Sequence, residues 1–239
     1  MKLDPGGFVR GPVAVVAALV VLGGTAPGAF AQSGCGINNL ECLSTLIAPT
    51  GPSDSTECMD ATHHGSASYD LVNGLLEATC SSLGTQANVS VSADDTYQIL
   101  GRPPGTPVNF VVEFQVGGSI GINQCGGSGN LSAAIINTGI PGAPSANTAY
   151  ACNASCTCFG SPTLNTVLSL PMTKNAGTPF PVGYFLATNG VLSNETLSGQ
   201  FRFVGLPAGT SVISCQGYVQ ESPVAIQRAS WGTLKLHYR

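Results

Sequence analysis

Asp94–Gly118, DDTYQILGRPPGTPVNFVVEFQVGG, decides the fold class. Tyr97-Gln-Ile-Leu100 is rich in strand-forming residues. After a Pro/Gly corner, Phe110, Val112, Phe114 and Val116 alternate with Val111, Glu113, Gln115 and Gly117. A period of two over that length is the pattern of a half-buried strand with its apolar side inward. The stretch therefore predicts two strands joined by a sharp bend.

The bend recurs. Gly101-Arg-Pro-Pro-Gly-Thr-Pro-Val108 and Gly205-Leu-Pro-Ala-Gly-Thr-Ser-Val212 share the pattern G-x-P-x-G-T-x-V, and each is flanked by strand-like sequence. Proline fixes φ and glycine supplies the positive φ of a sharp reversal. A repeated ligand loop and one structural bend used twice in a sandwich are the two readings, and turn chemistry favours the bend.

Composition points the same way. Only 8% of the 239 residues are charged, with 31 glycines and 16 prolines. Few Lys, Glu, Arg or Met means few good helix formers, so an all-β chain is expected. No basic cluster suggests a nucleic-acid partner.

Met1–Ala31 reads as a signal peptide: Lys2 and Arg10, an apolar Val13–Leu22, and the cleavage site Ala29-Phe-Ala31. The apolar run is too short to span a bilayer, and no later segment is long and apolar enough. Loss of Lys2, Asp4 and Arg10 would take the net charge from −4 to −5. The expected location is extracellular or at the cell surface. Nine cysteines lie beyond the leader: Cys35, Cys42, Cys58, Cys80, Cys125, Cys152, Cys156, Cys158 and Cys215. All are disulfide candidates in an exported chain. The number is odd, which leaves at least one thiol free, bridged between chains or modified.

The leader is one of four segments. After it, residues 32–65 read as a Cys-rich, irregular N-terminal extension. Residues 66–220 carry about nine short strands and read as an antiparallel two-sheet sandwich or jelly roll. Within them, Asn73-Gly74 marks a hairpin, and Thr138–Pro162, with Cys152, Cys156 and Cys158, reads as a long pinned loop. Residues 221–239 form a tail with the one Trp, where Trp231, Leu234, Leu236 and Tyr238 suit a last strand or a docking peptide.

Candidate chemistry is thin. Cys58, Asp60 and His63-His64 lack the ligand spacing of a zinc site, and Cys152, Cys156 and Cys158 suit disulfides better than metal. Gly126-Gly-Ser-Gly-Asn130 departs from the nucleophile-elbow pattern. Glu77 and Glu113 are the acids placed inside strands, where a glycosidase would need a close pair. Asp94-Asp95 starts a strand as readily as it binds calcium, whose sites take about six to eight oxygens. The four N-x-S/T matches carry little in a chain so rich in Ser and Thr. No catalytic, cofactor or metal residues are assigned.

The strings DTYQILGRPPGTPVNFVVEFQVGG, GTPFPVGYFLA and FRFVGLPAGTSVISCQGYV resemble a β-sandwich common among exported bacterial proteins. Many of these carry a C-terminal sorting signal such as PEP-CTERM. The resemblance covers Ser66–Val219 and rests on turns. The chain departs from the anchored members in lacking a Pro-Glu-Pro box, a terminal helix and a basic cluster. Location and fold are what the resemblance implies; it brings no catalytic residues.

The expectation is a secreted, disulfide-stabilised, non-enzymatic sandwich serving as a bacterial surface, matrix or adhesion component. A carbohydrate-binding module, using Tyr69, Tyr97, Tyr150, Tyr184 and Trp231 as ligand-contact aromatics, is the first alternative. A secreted hydrolase is the second. Expected partners are a glycan or another surface protein, with self-association through the tail or the odd cysteine.

Overall fold

The computed structural model describes residues 38–43, 45–49, 51–137 and 142–222, all within one compact unit. The expected leader, Cys35, Trp231 and the rest of the tail beyond Ser222 lie outside the described residues. Among the described residues there are strands and no helices, and they form two antiparallel sheets.

Sheet A contains β1 (Asn38–Cys42), β2 (Thr45–Ile47), β6 (Ala87–Leu100), β8 (Ser128–Ile136), β9 (Ser145–Cys152), β10 (Cys158–Gly160), β12 (Phe180–Val191), β14 (Ser211–Ser214) and β15 (Val219–Glu221). Its order is β10-β9-β8-β12-β6-β1-β2, with β14 also on β6 and β15 on β14. Sheet B contains β3 (Ser53–Met59), β4 (His63–Asp70), β5 (Leu75–Ser82), β7 (Pro107–Ile122), β11 (Thr163–Asn175) and β13 (Ser193–Val204), in the order β11-β7-β13-β5-β4-β3.

The alternation in the sequence is the alternation of burial. Val89, Val91, Ala93, Tyr97 and Ile99 of β6 and Val112, Phe114 and Val116 of β7 are all 0% exposed. Between the sheets lies an aromatic layer, with Tyr184 stacked on Phe201 at 4.1 Å and Tyr97 4.9 Å from Phe203. Large rings filling the inter-sheet space supply much of the apolar area that holds the two layers together.

Both G-x-P-x-G-T-x-V segments are bends between sheets. The first carries β6 of sheet A into β7 of sheet B; the second carries β13 of sheet B into β14 of sheet A. Their internal bonds match: Thr106 N–H donates to Pro103 O and Thr210 N–H to Pro207 O, both at 3.1 Å. Gly101, Gly105, Gly205 and Gly209 all have positive φ. The bends also pack on one another, since a Cβ on Gly101 would overlap the Gly209 carbonyl oxygen. Arg102 reaches across to donate to Ala208 O at 3.3 Å.

Three segments differ from the sequence reading. Residues 32–65 are not irregular throughout: β1 pairs with β6 and β3 with β4. Short polar strands such as SDSTECM lack apolar alternation, so only pairing with a neighbour reveals them. Thr138–Pro162 contains the β9–β10 hairpin, held by Cys152–Cys158 and tied to the β7–β8 loop by Cys125–Cys156. The strand-like sequence after the second bend, Val212–Val219, is a hairpin, β14–β15, because Gly217 with φ 99° turns the chain. The Asn73-Gly74 hairpin joins β4 to β5, with Gly74 at φ 71°.

Candidate functional site

The outer face of sheet B is built from the positions of its strands that alternate with the core. In one row across all six strands stand Asn165, Gly117, Ser198, Glu77, Ser68 and Ser55. The next row holds Val167, Gln115, Gln200, Leu75, Asp70 and Ser53. Two shallow hollows of about 270 and 330 Å³ lie along these rows and share Leu75 and Glu77 as lining residues. Together they make a trough across the strands. Six strands span about 24 Å at the usual spacing, long enough for an extended polymer segment.

The floor is open because Gly117 has nothing within 4 Å of where a Cβ would stand. Several hydroxyls around the trough are already paired. Ser66 Oγ lies 2.7 Å from Thr79 Oγ1, Ser119 Oγ 3.1 Å from Thr196 Oγ1, and Ser198 Oγ–H donates to Gly117 O at 3.3 Å. The side chains of Asn165, Gln115, Gln200 and Glu77 make no hydrogen bond with any described residue. An amide offers two N–H donors and an acceptor oxygen, and a carboxylate two acceptors. The trough thus presents unused donors and acceptors in two adjacent rows.

Most aromatics expected to contact a ligand are elsewhere. Tyr69, Tyr97 and Tyr184 are buried core side chains with no ring face open to a ligand, a correction to the sequence reading. Each falls on an inward position of its strand, and the Tyr69 hydroxyl donates to Gly51 O at 2.9 Å. Tyr150 is half-buried against the core.

The cysteines divide. Cys42–Cys58 joins β1 of sheet A to β3 of sheet B; Cys125–Cys156 and Cys152–Cys158 pin the β7–β10 region. Cys215 is also disulfide-bonded. Cys80 is not a bridge member: it is a free, buried thiol, pushed up to about 12 chiefly by burial and then by the neighbouring Glu195.

Glu113 pairs with Arg202 across β7 and β13 at 2.7 Å. Glu77 sits two strands away and four residues along, about 16 Å by strand geometry, whereas glycosidase carboxyl pairs stand within about 9.5 Å. His63 binds Asp60 through Nδ1 at 2.8 Å, while its Nε2 faces Thr85 O at 3.1 Å and Thr85 Oγ1 at 3.0 Å. The hydrogen bond to Asp60 raises the His63 pKa and holds that of Asp60 well below the usual carboxylate range. Through its two ring nitrogens His63 ties the β3–β4 turn to Thr85. His64 pairs with Glu57 at 2.7 Å. Among the described residues no three His, Cys, Asp or Glu gather as a metal set.

Two acids are buried. Asp95 accepts from Thr96 N–H at 2.7 Å, and burial pushes it up to about 6. Glu195, raised to about 6 by burial, lies beside Ser193 and Cys80, but among the described residues neither carboxyl oxygen has a well-formed hydrogen-bond partner. Sequence reasoning missed both Glu195 and the trough. Glu195 stands in NETLSGQFRF, where its inward position is visible only by counting from Phe201 and Phe203.

The fold and site define an all-β sandwich stitched by disulfides, with an open cross-strand trough. No family model and no curated protein matches the chain. Among solved structures, it is similar over 64% of its length to TmCBM61 in complex with beta-1,4-galactotriose (8% identity, TM-score 0.28, 87% of that chain covered). It is also similar over 64% of its length to the enzymatically active domain of bacteriophage CBA120 tailspike protein 4 (11% identity, TM-score 0.26), of which it spans 19%.

Proposed function

We propose that the protein is an exported, non-enzymatic component of a bacterial surface or matrix that holds an extended glycan in the trough across sheet B. The supporting observation is the set of unengaged polar side chains, Asn165, Gln115, Gln200 and Glu77, aligned over the open floor at Gly117. Sugar hydroxyls both donate and accept, so amides and a carboxylate in two adjacent rows match a polyhydroxylated chain. With no aromatic platform among the described residues of the trough, binding is spread along the polymer and grows with its length. The engagement of Glu113 by Arg202, far from Glu77, supports binding without cleavage.

Affinity electrophoresis against soluble galactan, xylan, glucan and mannan tests this reading. At least one polymer should retard the protein. Gly117→Leu, which fills the floor, should lower affinity about tenfold, the loss of about 1.4 kcal/mol. Mobility unchanged by every polymer, or retained binding in Gly117→Leu, would discard the trough.

A further inference from the structure

Glu77 stands where the two hollows of the trough meet. It lines both, on the outer face of β5, opposite Ser68 of β4 and Ser198 of β13. Among the described residues, Glu57, Asp70, Glu77 and Glu113 are the acids on the outer face of sheet B. Three of them are engaged. Glu57 is held by His64 and Glu113 by Arg202, each at 2.7 Å. Asp70 accepts from the Asn73 N–H at 3.1 Å and from its Nδ2–H at 2.6 Å. Glu77 is exposed, and no described residue pairs with its carboxylate.

No positive charge offsets it. Neither Lys nor Arg lines either hollow. Of the described Lys and Arg, Arg102 donates to Ala208 O, Lys174 lies over the Phe180 ring at 5.8 Å, and Arg202 faces Glu113. Arg202 follows Ser198 by four residues on β13, which puts it about 14 Å from Glu77 by strand geometry. That exceeds the distance over which an exposed charge acts at physiological salt. Asp70 lies diagonally across from Glu77, about 7–8 Å away, and adds a second negative charge to the same end of the trough. A polymer carrying carboxylates would be repelled there, whereas one carrying ammonium groups would find an acceptor with no competitor.

We propose that Glu77 is the specificity-determining residue of the trough, and that the glycan held there is a polymer of amino sugars with free, unacylated nitrogens. The inference rests on the reading of the trough as a glycan site and names the class of glycan. The sugar ammonium donates to the Glu77 oxygens, a charge-assisted contact stronger than that of a neutral hydroxyl. The hydroxyls of the neighbouring residues meet the amides of Gln200, Gln115 and Asn165. N-acetylation would remove the charge and leave the rest of the contacts in place.

Titration calorimetry on the full chain at pH 6, where a sugar amine carries its proton, tests this with three hexasaccharides: β-1,4-glucosamine, its N-acetylated counterpart, and galacturonate. The glucosamine hexamer should bind about fivefold tighter or more than the N-acetylated one, the size of an exposed ion pair. Galacturonate should bind weakest. Glu77→Gln keeps the shape of the side chain and should abolish the difference between the first two. Glu41→Gln removes the same charge from the outer face of sheet A and should leave the preference intact. Equal affinity for the first two hexamers in the parent overturns the role of Glu77 but leaves the trough as the site. So does a preference that survives Glu77→Gln, or one that Glu41→Gln abolishes as well. Failure of all three hexamers to bind discards the trough and the proposal with it.

Discussion

Glu195 on β13 and Cys80 on β5 are direct cross-strand partners on the inner face of sheet B, and both are buried. The Glu195 carboxyl fills the space over Gly129 and Gly190, where a Cβ would overlap it. Thr188 Oγ1 of sheet A is another buried polar atom without a partner. A carboxyl in that setting is easier to bury neutral than charged.

Stability should therefore fall as pH rises through about 6. Glu195 is raised from 4.5 to about 6 and Asp95 from 3.8 to about 6, each chiefly by burial. The folded state keeps protons that the unfolded chain releases, so the contribution is full below the unfolded values and lost as pH climbs past the folded ones. Each group contributes about 2–3 kcal/mol. Thermal melts between pH 4.5 and 8 should show a declining midpoint. Glu195→Gln, which stays neutral, should reduce the slope and gain stability at pH 8. A midpoint that rises across this window would contradict the assignment.

Cys80 should be silent toward thiol reagents in the native protein. It is 3% exposed and pushed up to about 12, and it is thiolate that reacts. Maleimide labelling should leave Cys80 unmodified without denaturant and modify it after unfolding. Rapid native labelling at Cys80 would show that the strand opens. The same burial keeps this thiol from bridging two folded molecules.

How much of this the sequence disclosed depends on the kind of signal each residue carries. Phe110, Val112, Phe114 and Val116 announce an inward face by themselves, and proline and glycine announce the bends, so the sandwich was legible. Asn165, Gln115, Gln200 and Glu77 come from β11, β7, β13 and β5, separated in the chain by strands of sheet A. Each reads as an ordinary solvated position, and only strand order and register make them neighbours. The tyrosines failed for a related reason. A tyrosine is amphipathic, and which way its ring points depends on strand parity, as with Tyr97 between the inward Asp95 and Ile99.

Breaking the Cys42–Cys58 bridge should loosen the two sheets along one side. It closes a separation of 16 residues between β1 and β3, for which chain entropy predicts about 3 kcal/mol. Cys42→Ser/Cys58→Ser should lower the denaturant midpoint accordingly, with the other bridges intact by mass mapping. An unchanged midpoint would mean that β1 is held by its pairing to β6 alone.

Gly101 and Gly105 sit in the same bend with nearly the same φ, 85° and 84°, but they differ in surroundings. A Cβ on Gly105 would meet nothing within 4 Å, whereas one on Gly101 would run into the Gly209 carbonyl of the second bend. Alanine at Gly105 should cost about 1–2 kcal/mol, the left-handed penalty alone. Alanine at Gly101 carries the same penalty and must also push the two bends apart, so about 3 kcal/mol or more is expected. Urea unfolding of the two variants side by side measures the difference. The comparison separates backbone strain, which both share, from the contact between the bends, which belongs to Gly101. Equal losses would mean that the bends move apart at little cost and that their packing does not set the angle at which the chain crosses between sheets.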